Sequence, residues 1–74
     1  MKYFIVSKKN KALSEFHPND GKRNPLYFKK NSAFSYGDIH EAEKHLRYII
    51  EKTPVKYRKQ AESLRVSTFA EGWM

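Results

Sequence analysis

The chain has no cysteine, only three glycines and three prolines, and a single tryptophan. Without thiols there is no disulfide staple and no thiolate metal site, so the disulfide-rich secreted mini-proteins are excluded. Long hydrophobic runs are missing too. The longest, Tyr3 to Val6, is four residues, far short of the ~20 that span a bilayer. No apolar segment of signal-peptide length follows Met1. A soluble cytoplasmic protein with no membrane partner is therefore expected. With 74 residues there is room for one domain, residues 1–74, and none for a cofactor domain beside a substrate domain. Negative charge is also scarce: 8 Asp+Glu stand against 15 Lys+Arg, a formal charge of +7. That balance favours an acidic partner, nucleic acid first.

What is present is aromatic and basic. Hydrophobic residues make up only 39%, but five Phe and five Tyr are among them, and each buries ~150–250 Å². A core this small sits near the margin of stability, and a homodimer or a bound partner would supply further burial. Lys2 to Lys8 is rich in aromatic and β-branched residues and reads as a strand with both faces apolar, as an interior strand requires. Lys9-Asn10 suits a two-residue turn, Asn tolerating positive φ, and Ala12 to Phe16 returns as a second strand. His17 to Pro25 is a loop by its breakers, and Leu26 to Lys29 a short third strand. Asp38, with Glu41 three residues on, starts a helix whose stripe is Ile39, Ala42, Leu46, Ile49 and Ile50. It ends at Lys52, because Thr53 precedes a proline. Pro54 to Glu62 predicts a short second helix capped by Thr53, and Leu64 to Ala70 alternates as a last strand. The expected class is α+β: a small antiparallel sheet of three to four strands, built from the N-terminal hairpin and the C-terminal strand, packed against one main helix, with a short second helix.

The positive charge is unevenly placed. Residues 1–30 carry eight basic and two acidic side chains, residues 31–54 three and four, and residues 55–74 four and two. The long helix is thus close to neutral, which argues against a DNA-reading helix in the major groove. The basic surface falls to Lys8, Lys9 and Lys11 in the hairpin, Lys22 and Arg23 in the loop, Lys29 and Lys30 on the third strand, and Arg58 and Lys59. Tyr27 and Tyr57 are interleaved with them. Cations that hold a backbone beside rings that stack on splayed bases suit single-stranded or structured RNA. The plainer alternative makes Phe28 a core residue and leaves the lysines to solvate a small surface.

Chemistry-bearing residues are few. His40 and His45 are five apart and ~140° from each other on a helix, so they share no metal, and an i,i+4 pair with Glu41 accounts for His45. No cofactor is implied. His17, before Pro18 and near Asp20, Lys22 and Arg23, could serve acid–base cleavage of RNA, but the sequence places no second acid or base with it. The serines lack a nucleophile-elbow context, so the chain reads as no enzyme. Trp73 folds back over the helix–sheet edge or anchors a partner.

Three segments carry a resemblance: Lys-Tyr-Phe-Ile-Val-Ser-Lys-Lys-Asn-Lys-Ala-Leu at the start, Asn-Ser-Ala-Phe-Ser-Tyr-Gly-Asp-Ile-His-Glu-Ala-Glu-Lys-His-Leu in the middle, and Leu-Arg-Val-Ser-Thr-Phe near the end. This order of hairpin, aromatic residue, helix opening in Glu-Ala-Glu-Lys, and closing strand resembles small basic accessory and counter-defence proteins of large tailed phages. Among these are the TifA-type inhibitors of the ToxN endoribonuclease toxin, in whose action RNA participates. The resemblance implies a non-enzymatic RNA-binding inhibitor or adaptor that blocks a host defence factor such as a toxin ribonuclease. The alternative is an inhibitor that sets its basic face against an acidic host protein without nucleic acid.

Overall fold

The strand nearest the N-terminus is buried on both faces, and the rest of the chain is arranged around it. In the computed structural model, which describes residues 1–18, 22–29 and 32–70, β1 (Phe4–Val6) pairs antiparallel with β4 (Arg65–Ser67), with Ile5 opposite Val66. On its other side β1 meets the returning chain: Val6 bridges Ala12, Leu13 N–H donates to Ile5 O at 2.7 Å, and Tyr3 exchanges two backbone hydrogen bonds with Tyr36. Phe4, Ile5 and Val6 are all buried, as expected for an interior strand.

The hairpin turn is one residue longer than the sequence reading. Ser7 N–H donates to Lys11 O and Asn10 N–H to Ser7 O, both at 2.9 Å, which encloses Lys8, Lys9 and Asn10 in a three-residue loop. Asn10 takes φ 63, the left-handed conformation such a loop needs after a type I turn. Beyond the turn the chain changes partner. Ala12 and Leu13 belong to β1, whereas β2 (Glu15–Phe16) pairs with β3 (Leu26–Tyr27), Glu15 opposite Tyr27. The switch occurs at buried Ser14, whose Oγ donates to Tyr27 O at 2.9 Å and accepts from Lys29 N–H at 2.7 Å. The four strands therefore form two antiparallel pairs rather than one continuous sheet.

Helix α1 (Ile39–Lys52) is capped by Asp38, whose carboxylate accepts from His40 N–H at 3.0 Å. Ala42 and Ile49 are buried and Leu46 and Ile50 half-buried, but Ile39 is left exposed. The helix stops at Thr53, and Thr53 Oγ1 donates back to Ile49 O at 2.5 Å. Thr53 is thus the C-cap of α1 rather than the expected cap of α2 (Val55–Glu62), which begins at Pro54 without a side-chain cap. One core gathers Ile5, Leu13, Leu26, Ile49, Ala61 and Leu64, with Phe16, Phe28, Phe34 and Tyr36 against it. A smaller cluster joins Phe4, Val6, Ala12 and Ala70. Among the described residues no helix is long and apolar enough to cross a membrane.

Candidate nucleic-acid interface

Strand alternation sorts the predicted site residues before any contact is measured. Across the β2–β3 pair, Glu15 faces Tyr27, so His17 and Lys29, two residues on from each, share their face. Lys29 is ion-paired with Glu15, and His17 Nε2 lies 2.8 Å from the other carboxylate oxygen. The Lys29 ammonium and the His17 imidazole hold the Glu15 carboxyl below its usual range, Lys29 having the larger effect. Tyr27 is enclosed as well: the Lys29 ammonium sits over its ring, 5.9 Å from the centroid, and His17 meets it edge-on at 5.1 Å. Tyr27 and Lys29 are thus members of an ion-pair cluster rather than a free ring and a free cation. The sequence reading had found no titratable partner for His17, and Glu15 is one.

Leu26, Phe28 and Phe16 point the other way, towards the core. Phe28 is half-buried: it rests against the core and also lines a cleft of about 440 Å³. The remaining walls are Ser7, Lys8, Lys9 and Lys11 from the hairpin turn, and Gln60 and Ser63 from the end of α2. Among the described residues no carboxylate pairs with Lys8, Lys9 or Lys11. Three lysines without a carboxylate partner among the described residues therefore line one cleft together with Phe28. Asn24 Nδ2 donates to Gln60 Oε1 at 2.8 Å, which ties the loop that carries Lys22 and Arg23 to the same helix end. Lys22 and Arg23 themselves are exposed.

Two guanidinium groups are committed to the fold. Arg58, predicted as a phosphate contact, instead donates to the carbonyls of Thr53 at 3.0 Å and Glu51 at 3.4 Å. These are oxygens that the end of α1 leaves unpaired, at the negative pole of its dipole. Arg65 reaches from β4 to Ser7 O at 2.9 Å and to Asn10 Oδ1, clamping the hairpin turn. Lys59 is exposed and has no ion-pair partner among the described residues. Tyr57 is half-buried with the Lys56 ammonium over its ring at 5.5 Å. Lys30 and Trp73 lie outside the described residues.

A second feature is aromatic. Phe16, Phe34, Tyr36, His45 and Tyr48 form a chain of ring contacts between 5.1 and 6.1 Å. His45 turns to Tyr36 here, its Nδ1 hydrogen-bonded to the phenol, rather than to Glu41. Burial lowers the imidazole pKa and pushes the phenol up to about 12. Both effects favour neutral groups. Tyr48 remains half-exposed at the outer end of this chain.

Phe28, Gln60 and Ser63 were missed as site residues. The signal for Phe28 was its alternation with Tyr27 and Lys29; for Gln60 and Ser63, 49 or more residues from the hairpin lysines, the sequence carries none. No protein-family model matches the chain, and no curated protein and no solved structure matches it either.

Proposed function

We propose that this protein is a non-enzymatic RNA-binding inhibitor or adaptor that acts in the cytoplasm of a phage-infected host and blocks a defence factor such as a toxin endoribonuclease. The observation that carries the RNA half is the convergence of Lys8, Lys9 and Lys11, without a carboxylate among them, on a cleft whose side is Phe28. Such a surface neutralises phosphates while offering a ring to an unstacked base. The near-neutral α1 supports a partner other than duplex DNA, since it brings no dense row of donors to a groove. The phage and counter-defence half rests on the three resembling segments.

Titration of a labelled single-stranded RNA oligomer by fluorescence anisotropy tests the reading. Affinity should fall steeply between 50 and 200 mM salt, with a log–log slope of about −0.7 for each phosphate neutralised. Absence of binding at the lower salt overturns it.

A second reading has its own observation. Ile39 and Tyr48 of α1 are exposed, as are Val55 and Phe69, apolar groups suited to a protein partner. An inhibitor that binds only protein keeps its partner when the purified complex is digested with nuclease. The RNA-dependent one releases it.

A further inference from the structure

The polar wall of the cleft has a direction that its hydrogen bonds fix. Leu26 N–H donates to Asn24 Oδ1 at 3.0 Å, so the amide nitrogen of Asn24 is the atom that faces Gln60. Asn24 Nδ2 in turn donates to Gln60 Oε1, which orients the Gln60 amide as well. Its NH₂ group is left without a partner among the described residues. Ser63 Oγ donates its only proton to Gln60 O at 2.6 Å, so its lone pairs are what remain to offer. Gln60 and Ser63, which line the cleft together with Phe28, thus carry an unused amide donor and an unused hydroxyl acceptor.

We infer that this cleft holds a single unstacked nucleotide of an RNA strand and prefers a keto base, uracil or guanine. This rests on the RNA-binding reading above and adds where one base sits and which edge is read. A keto oxygen next to a ring N–H is the complement of a donor next to an acceptor; uracil O4 with N3–H and guanine O6 with N1–H both have it. Cytosine and adenine present the opposite polarity, an exocyclic amine beside a ring acceptor. Phe28 supplies the stacking surface. Charge orients the nucleotide. Gln60 and Ser63 close the C-terminal end of α2, where the negative end of the dipole disfavours a phosphate. Lys8, Lys9 and Lys11, from the hairpin turn that lines the same cleft, favour one. The base thus lies towards α2 and the backbone runs along the hairpin turn. A cleft of about 440 Å³ falls within the ~300–1,000 Å³ of small-ligand sites.

The test compares labelled octamers of uridine, cytidine, adenosine and 3-methyluridine at 50 mM salt. The uridine octamer should bind about fivefold or more tighter than the other three, since a methyl on N3 removes the proton Ser63 would accept. Gln60→Ala and Ser63→Ala, checked for folding by circular dichroism, should each erase that preference while keeping the cytidine affinity within about twofold. Equal binding of all four octamers, or an undiminished preference in both variants, overturns the base site and leaves RNA binding intact. Failure of every octamer to bind overturns RNA binding itself, and the base site with it.

Discussion

Arg58 and Arg65 spend their guanidinium groups on the protein's own oxygens, whereas Lys8, Lys9 and Lys11 line a cleft and have no carboxylate partner among the described residues. All five count equally towards the net +7. The planar guanidinium carries several fixed donors and reaches two carbonyls at once, so it serves at a helix end or across a turn. The flexible lysines form no such framework and remain available to phosphate. Formal charge therefore overstates the binding surface, and the contrast lies in what each cation touches.

Replacing Arg58 by Met keeps the stem and removes the donors to Thr53 and Glu51. The expected loss is about 1–2 kcal/mol, since bonds from a charged donor to carbonyl oxygens exceed the neutral ones. For a chain of this size that corresponds to a drop in Tm of roughly 5–15 °C by calorimetry, with RNA affinity changed by less than about threefold. An unchanged Tm with a large loss of RNA binding would move Arg58 into the other group. Arg65→Ala should cost less, about 0.5–1 kcal/mol, because its contacts to the hairpin turn are exposed.

The aromatic chain around His45 sharpens the contrast between groups the fold uses and groups it leaves free. Burial holds the folded imidazole pKa below its unfolded value, so the unfolded chain binds the proton more readily. His45 thus contributes stability that is fully present above about pH 6.5. That contribution is lost as pH falls through the lowered folded pKa. Denaturant midpoints should therefore decline from pH 7 to 5, and His45→Asn should flatten the slope. The cost of charging a partly buried imidazole is the physical route of the loss. The smallest effect is expected at Lys29. Already paired with Glu15, its removal should change RNA affinity by less than about twofold.

The sequence carried the elements well, because their signals are local. Asp38 caps α1, Thr53-Pro54 ends it, Asn10 takes positive φ, and Ile5, Ile49 and Leu64 are core. Division of the strands into two pairs was not legible, since it depends on the Ser14 side chain tying together the backbone of residues 27 and 29 across the ladder. The site was half legible. Lys8, Lys9 and Lys11 lie on one turn and stay together by geometry, but Tyr27 and Lys29 were expected on the binding surface and Phe28 was not. A strand sends its neighbours to opposite faces, so Lys29 went to Glu15 and Phe28 to the cleft. Arg58 and Lys59 were likewise parted by the tight α1–α2 connection, which sets Arg58 against the preceding helix end.

The central claim, that the hairpin trio forms the phosphate-binding surface, is tested most directly by the salt dependence of RNA binding. The slope of log affinity against log salt is measured for the native chain and for the Lys8→Ala, Lys9→Ala, Lys11→Ala triple variant. Three lost phosphate contacts should make the slope shallower by about 2 and weaken binding at 50 mM salt by at least tenfold, with Tm unchanged. Identical slopes for the two proteins would contradict the account.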